Sequence, residues 1–299
     1  MASAARRTTA LLGLTAAAVA LAACSGSNHP AKVNGAAAVS MVPQRILRAP
    51  GNLISATQPQ ATGSMWMLAG KTSRGLFEMD YSSGHLTGSV SVSGAARSVA
   101  ETSTGIIGLA LGTSRSGALQ LLSGTGKVTK TVPLPAPARE VVVGSDGTTF
   151  YVLDGTARTA SVTIVGSRAG RVLGSVAMPA DAVSVAPDPK QATLYALEPN
   201  GLVDQINVAG SKVVAKFKAV SKGDTAESMA LSPDGHSLFV LKDSDGGSNI
   251  ADVSTATEGI RKVLPAPSNC VGVLVSPSGG QLYDLVGTAK YGNIQVFAS

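Results

Sequence analysis

A turn followed by a strand-like segment recurs six times along the chain, and its spacing constrains the fold more than any other feature. The clearest copy is Ser232-Pro233-Asp234-Gly235, followed by SLFVLKD. Equivalent turns are anchored at positions 62, 104, 146, 188, 234 and 278, at intervals of 42, 42, 42, 46 and 44 residues. A period of this length indicates a repeat architecture, in which each unit stacks on its neighbours to bury its apolar faces.

Each repeat contains four strand-like segments. A short apolar run such as EVVVGS precedes the turn, and a Leu/Tyr-rich strand follows it. An alternating segment such as ASVTIVG comes next, and then a basic and apolar segment such as RVLGSVAMP. Four short strands every 40–45 residues is the period of a propeller blade. We therefore predict an all-β fold, a β-propeller of six four-stranded blades, with a seven-bladed ring as the alternative.

The sixth repeat supplies only three strands before Ser299, so its fourth strand has to come from elsewhere. The segment 41–50 (MVPQRILRAP) resembles the outer-strand segment IRKVLPAP in character. If it pairs beside the C-terminal strand, it closes the ring and protects the exposed sheet edges. We predict an N-terminal closing strand there, at the start of a propeller domain that spans residues 41–299.

The repeats resemble the YVTN-type bacterial β-propeller repeat. The resemblance is carried by the Ser-Pro-Asp-Gly turn, the Leu-Tyr-Val type of strand that follows it, and the Val-x-Val-x strand. It is good over residues 145–245 and loose before 130, and Gly-His and Trp-Asp marks of WD40 blades are missing. The resemblance implies the fold but not the function, because propellers host many unrelated activities.

The first 23 residues have the features of a secretory signal peptide. Arg6 and Arg7 form a basic start, and the apolar stretch from Leu11 to Leu21 is too short to span a membrane. Leu21-Ala22-Ala23-Cys24 resembles a bacterial lipobox, which implies cleavage before Cys24 and lipid attachment to its thiol. An ordinary Ala-x-Ala cleavage site is the alternative, and the export route, Sec or twin-arginine, stays open.

The predicted mature protein begins with a lipidated cysteine and a flexible tether, residues 24–40, rich in Ser, Gly, Ala and Asn. We therefore expect an extracytoplasmic protein that is anchored to the cell membrane through lipid. Without Arg6 and Arg7, 22 basic residues face 18 acidic ones, a net charge of +4. This charge is too small to indicate a nucleic-acid partner.

Alignment of the repeats predicts which residues surround one end of the central channel. Seven residues before each anchor, near the start of the inner strand, are Ser55, Arg97, Arg139, Asp181, Glu227 and Val271. The charged members are candidate ligand-binding residues, with Arg97 and Arg139 suited to an anionic group. The alternative is that these charges pair with one another, as Arg139 and Asp181 could.

A second set of candidates lies in the turns between the second and third strands of four repeats. These turns share the face of the channel mouth and offer it four cations: Arg74, Arg115, Arg158 and Lys290. They would form a cationic rim. Polar hairpin tips that are simply solvated are the alternative interpretation.

No catalytic motif stands out. His29 is in the tether, and His85 and His236 follow turns away from the predicted mouth, so none is placed as a general base. We find no metal-ligand spacing and expect no cofactor. The favoured function is a non-catalytic binding or scaffold propeller whose ligand, a protein or an anionic molecule, occupies the channel mouth. A lactonase-like hydrolase that uses Asp181 and Glu227 is the alternative.

Overall fold

The computed structural model describes residues 42–60, 63–70, 74–156, 159–179, 181–190, 192–221, 223–244, 247–288 and 291–298. These residues belong to one compact unit, Ala36–Ser299, and contain 24 strands in six four-stranded antiparallel sheets. None of these described residues forms a helix that could cross a membrane. The protein is a six-bladed β-propeller, which confirms the predicted fold and shows that the seven-bladed alternative was wrong.

Each blade runs from an inner strand beside the channel to an outer strand at the periphery. The strands of blades 1 to 3, each from the inside outward, are β2 (Leu53–Ala56), β3 (Ser64–Ala69), β4 (Arg74–Asp80) and β5 (Leu86–Val92); β6 (Ala96–Glu101), β7 (Ile107–Gly112), β8 (Gly117–Leu122) and β9 (Val128–Leu134); and β10 (Ala138–Val143), β11 (Thr149–Gly155), β12 (Ala160–Gly166) and β13 (Arg171–Met178).

The other three blades follow the same order, except that the last one borrows its outer strand. Their strands are β14 (Ser184–Pro187), β15 (Thr193–Leu197), β16 (Leu202–Asn207) and β17 (Lys212–Lys218); β18 (Thr225–Leu231), β19 (Ser237–Ser244), β20 (Gly247–Ser254) and β21 (Ile260–Pro265); and β22 (Cys270–Val275), β23 (Gln281–Gly287), β24 (Gly292–Ala298) and β1 (Arg45–Ala49).

Strand β1 closes the ring as predicted. It pairs antiparallel with β24, from Arg45 opposite Val296 to Ala49 opposite Gly292. The chain therefore enters β1 at the face that carries the turns between third and fourth strands, where the Arg45 Nη2 donates to the carbonyl of Ser82 in blade 1. It leaves β1 at the opposite face and continues into β2. The blade built from both ends of the chain thus joins the first repeat to the last.

The hydrophobic core is divided among the six interfaces between blades. Between blades 5 and 6, for example, Phe239 and Leu241 pack in one cluster with Val273 and Leu282. Because each blade has a neighbour on both faces, strands near the axis are buried on both sides, and all five residues of β15 are buried. This explains why the Leu/Tyr-rich segments lack the alternation that a half-exposed strand would show.

We expect Leu47→Ala to destabilise the whole propeller, because Leu47 is 2% exposed and packs with residues of blades 6 and 1 where the ring closes. The loss should be about 2–5 kcal/mol in the free energy of unfolding, measured by urea denaturation. Ile46→Ala is the matched control, since the adjacent Ile46 side chain is 55% exposed. Equal stability of the two variants would show that β1 does not hold the ring closed.

Candidate ligand site at the channel mouth

The inner strands surround a channel whose two ends are separate cavities with a common waist. The cavity at the beginnings of the inner strands, called the mouth here, has a volume of about 220 Å³. The cavity at their other ends has about 190 Å³. Val99, Val141, Met229 and Leu274 line both and form an apolar waist. Charged groups lie mainly in the mouth, so this end is the more suitable for a polar ligand.

Three of the four charged residues predicted at this end of the channel line the cavity together: Arg97, Arg139 and Glu227. Each is the extra residue of a β-bulge in its inner strand, between Ala96 and Ser98, Ala138 and Glu140, and Ala226 and Ser228. A bulge leaves one residue outside the ladder and redirects its side chain. The bulges therefore place charged side chains at the mouth although the strands that carry them are apolar.

Blades 1 and 4 depart from the alignment. In blade 1 the bulged residue is Ile54, not Ser55. In blade 4 the inner strand β14 is shorter, and a turn closed by the Ala182 N–H and the Pro179 carbonyl precedes it. Consequently Val183 lines the mouth cavity, whereas Asp181 is exposed and is not one of the residues that line it.

Arg139 is occupied by backbone acceptors. Its Nη1 donates to the carbonyl of Ala182 at 3.0 Å, and its Nη2 donates to the carbonyl of Thr156 at 2.6 Å. The first contact joins the inner strand of blade 3 to the segment that leads into blade 4, and the second joins it to the second-to-third strand turn of its own blade. The pairing with Asp181 considered from the sequence is thus replaced by two backbone hydrogen bonds, and Arg139 has less capacity left for a ligand.

Two predicted rim cations lie beside Arg97. Its Nε donates to the carbonyl of Gly112 at 3.2 Å, at the base of the turn that carries the exposed Arg115. Arg74 is near enough to Arg97 that burial and the neighbouring positive charge together lower its guanidinium pKa. The other two rim candidates, Arg158 and Lys290, and the lipidation candidate Cys24 lie outside the described residues.

Glycines allow the hairpin of Arg115 to lie directly against the next blade. A Cβ on Gly112 would be 2.2 Å from the Ala138 carbonyl oxygen, and one on Gly117 would be 2.0 Å from the Ala136 carbonyl oxygen. No larger residue fits at either position without moving the backbone of blade 3. The position of the Arg115 turn at the mouth is therefore fixed by packing between blades.

Acidic side chains occupy the opposite side of the mouth. Glu227 is exposed as a residue, but its carboxyl group is partly buried. This partial burial and the nearby Asp243 both raise the pKa of the carboxyl group. Asp243 accepts a hydrogen bond from the Ser248 hydroxyl at 2.5 Å. Since blade 5 carries these acids and blades 1 and 2 carry Arg74, Arg97 and Arg115, the face around the mouth is positive at blades 1 and 2 and negative at blade 5.

Sequence reasoning missed a ring of side-chain acceptors just below the mouth. They are the residues that follow each bulge or its equivalent: Ser55, Ser98, Glu140, Ser184 and Ser228. Each accepts a hydrogen bond from a backbone N–H of the next blade, namely that of Val99, Val141, Val185, Met229 and Val273. The recurrence of serine at intervals of 43 or 44 residues was the available signal.

Glu140 is the one ionisable member of this ring. Its Oε2 accepts from the Val185 N–H at 2.7 Å and its Oε1 accepts from the Ser184 hydroxyl at 3.0 Å. Burial raises the pKa of Glu140 from its ordinary value of 4.5 to about 7, although these hydrogen bonds act in the opposite direction. The Glu140 carboxyl group, which lines the mouth, therefore changes charge near neutral pH.

The described residues contain no group of three or more His, Cys, Asp or Glu side chains placed to hold a metal ion. Cys270 is buried, and burial, reinforced by the charge of Asp284, raises its thiol pKa to about 12. A thiol of this kind is not a nucleophile at neutral pH. Cys270 is a small packing residue between blades 5 and 6, as its apolar sequence context indicated.

The sequence matches no protein-family model, and no curated protein matches it. Among solved structures, a chain of the hydrazine synthase of Kuenenia stuttgartiensis is similar over 90% of this chain and 99% of its own length, with a TM-score of 0.61. The two sequences are 13% identical. At this identity the similarity supports the propeller fold and says nothing of the activity.

We expect Glu140→Gln to raise the melting temperature at pH 8. The folded wild type keeps Glu140 protonated up to about pH 7, whereas the unfolded chain ionises it near its ordinary pKa. Wild-type stability therefore falls as the pH rises from about 4.5 to 7. Glutamine can still accept from the Val185 N–H without ionising, so the advantage should disappear below about pH 4.5.

Calorimetry across this pH range measures the effect, and Asp181→Asn is the matched control because it removes an exposed carboxylate on the same face. If the difference in melting temperature between Glu140→Gln and wild type is the same at pH 4 and pH 8, the Glu140 carboxyl does not titrate as described.

Proposed function

We propose that this protein is a lipid-anchored extracytoplasmic propeller that binds a ligand or partner at its channel mouth without chemical conversion. The observation that carries the proposal is the mouth itself, where Arg97, Arg139 and Glu227 from three blades line one cavity. Among the described residues, the mouth holds charges of both signs on a rigid ring. The signal-peptide-like start and the lipobox-like sequence around Cys24 support a location outside the cytoplasm.

The direction of the chain supports a mouth that is turned away from the membrane. Residues 42–44 lead into β1 from the face of the third-to-fourth strand turns, and Gln44 donates its N–H to the carbonyl of Val296 there. The mouth lies at the other face, where β1 ends at Ala49 opposite Gly292. The segment that follows Cys24 in the sequence therefore joins the ring at the face opposite the mouth.

A binding role fits the chemistry of the mouth better than catalysis. The carboxyl groups on the acidic side, Glu227 and Asp243, lie beside each other, but the described histidines, His85 and His236, lie in turns on the opposite face. A hydrolase would need a base and a group that stabilises the developing oxyanion around one reacting atom. The described residues do not provide such a set.

We expect Cys24→Ser to abolish lipid attachment and membrane retention. In a bacterial host that processes lipoproteins, the wild type should incorporate labelled palmitate and partition into the detergent phase, whereas the variant should not. Cys270→Ala is the control, because it removes the chain's other cysteine and should keep the label. A wild-type protein that carries no label would refute the lipid anchor.

Partner binding at the mouth is testable by photocrosslinking in cells. A photoreactive amino acid at position 115, exposed on the mouth face, should give a discrete crosslinked product. The same amino acid at position 168, exposed in a turn of the opposite face, should give none. The product should be lost in the double variant Arg97→Ala, Glu227→Gln, which removes one charge from each side of the mouth.

Crosslinking that is equal from both positions, or that persists in the double variant, would contradict the site. Turnover of a lactone panel by the purified protein, abolished by Glu227→Gln, would contradict the non-catalytic role and support the hydrolase alternative.

A further inference from the structure

Cations and exposed apolar side chains occur together along the outer edge of blades 2, 3 and 4. The outer strands β9, β13 and β17 and the turns that lead into them span residues 123–134, 167–178 and 208–218, termed the outer arc here. These segments contain no Asp or Glu. They contain seven basic residues, all of them exposed: Lys127, Lys130, Arg168, Arg171, Lys212, Lys216 and Lys218.

The outer arc accounts for the positive charge of the predicted mature chain. Seven of its 22 basic residues lie in the arc, and the 15 others are outnumbered by the 18 acidic residues. The blades on either side differ from the arc. The outer strand of blade 1, β5, has no charged residue, and the turn before the outer strand of blade 5 contains Glu258. The positive charge is therefore concentrated on one side of the ring.

Apolar side chains are exposed at the starts of the same outer strands. Leu173 is 60% exposed and Val214 is 56% exposed, and each is the extra residue of a β-bulge. A Cβ on Gly166 would be 3.6 Å from the Leu173 Cδ1, so this side chain lies where the turn into β13 begins. Single exposed apolar residues are common on soluble proteins. Here they recur at one position of successive blades, each time next to cations.

The starts of these strands lie at the face opposite the mouth, because they follow third-to-fourth strand turns. The ion pairs of the described residues include none of the cations there, Arg168, Arg171 and Lys212 among them. In blades 3 and 4 the acids of this face, Asp146 and Asp188, belong to first-to-second strand turns nearer the axis. Each accepts a hydrogen bond from a backbone N–H of its own turn. The cations at the edge are thus free to meet an external anion.

We propose that the outer arc docks on an anionic lipid surface, with its cations at the headgroup phosphates and its exposed apolar side chains at the acyl boundary. This inference rests on the membrane location in the proposed function and adds a second point of attachment. Basic residues near an anionic bilayer each strengthen binding, and apolar side chains beside them insert at the interface. Lys130 also joins blade 2 to the turn of blade 3, because its Nζ donates to the Ala169 carbonyl at 2.5 Å.

The place where the chain enters the ring favours a membrane over another partner. Residues 42–44 lead into β1 at the same face as the arc starts. Strand β1 belongs to blade 6, which lies across the six-membered ring from blade 3. Docking of the arc would therefore keep this face on the lipid and the mouth away from it. A second copy of the chain is a poorer occupant, because an isologous contact would place like charges opposite each other.

The full chain, processed in a lipoprotein-forming host and reconstituted on vesicles, tests the arc. The vesicles contain phosphatidylcholine alone or with about one third of anionic phosphatidylglycerol. A polarity-sensitive fluorophore is attached at Ala169→Cys in the arc or, as the control, at Ser114→Cys in an exposed turn of the mouth face. Cys270 is buried and should not react.

With anionic vesicles the fluorophore at position 169 should become brighter and shift to the blue, and the one at position 114 should not. Raising the salt from about 0.1 M to about 1 M should reverse the change, because the Debye length falls from about 10 Å to about 3 Å. Neutral vesicles should give no change at either position.

Charge-matched variants identify the cations responsible. The arc variant combines Arg168→Gln, Arg171→Gln and Lys212→Gln. It should lower the ratio of docked to undocked protein about fivefold for each cation removed. The control variant removes the same charge from exposed positions toward the mouth face, with Arg48→Gln, Arg97→Gln and Arg115→Gln. It should change the ratio far less.

The apolar part of the arc has its own variant. Leu173→Ser combined with Val214→Ser should weaken docking without changing the charge, because it removes the two most exposed apolar side chains of the arc. Val263→Ser is the control, since Val263 is exposed on the outer strand of blade 5.

The inference is wrong if the two fluorophores respond alike, if neutral vesicles act like anionic ones, or if the arc and control variants behave alike. Dimerisation in detergent that only the arc variant loses would assign the arc to a second copy instead. Retention on neutral vesicles measures the lipid anchor separately. Retention there without a signal at position 169 on anionic vesicles would reject the arc and keep the anchor. Retention on anionic vesicles alone would reject the anchor and keep the arc.

Discussion

The structure depends on one interaction that is repeated around the channel. In five of the six blades, a side-chain oxygen near the start of the inner strand accepts a hydrogen bond from a backbone N–H in the next blade, as Ser98 does from Val141 at 3.2 Å and Ser184 does from Met229 at 3.2 Å. Inner strands have an open edge toward the axis, where their N–H groups have no ladder partner. The acceptors satisfy these donors and link each of these blades directly to the next.

This dependence explains two irregular positions in the ring. Glu140 replaces the hydroxyl with a longer carboxyl group, which bonds both the Val185 N–H and the Ser184 hydroxyl. Glu140 thereby links two consecutive acceptors of the ring. Because its carboxyl group titrates near neutral pH, it also makes the stability of the propeller depend on pH. Gly272 follows the bulge in blade 6 and has no side chain to offer blade 1. The junction without such an acceptor is the one where β1 closes the ring, and there the packing of Leu47 is joined by hydrogen bonds from Arg45 to the Ser82 carbonyl and from the Tyr81 hydroxyl to the Gln281 side chain.

Much of the architecture was predictable because it follows from local patterns. The turns at 146 and 234 need Asp and Gly for physical reasons: Asp234 accepts from the His236 N–H and from the Ser232 hydroxyl, and Gly235 has a φ of 74°. These requirements fix residue types at a fixed spacing, so the repeat is visible in the sequence.

The site was predictable only in part, because its residues are selected by contacts between blades. A single-residue shift places Ile54 instead of Ser55 at the bulge of blade 1, and a shorter strand moves Asp181 out of the mouth. Neither change alters the spacing of the turns. The backbone bonds of Arg139 likewise depend on which chain segments meet across an interface, and repeat alignment contains no information on that.

The closing strand links the proposed anchor to the integrity of the ring. A tether held in a membrane would pull on β1 from its N-terminal end, and β1 is held in the ring mainly by its pairing with β24 and its apolar contacts. Hydrogen bonds of an antiparallel pair lie perpendicular to the strands. A pull along β1 therefore loads all of them together instead of opening them one at a time. Anchoring through the strand that closes the propeller is consistent with a stable ring, and it leaves the charged mouth on the far face unstrained.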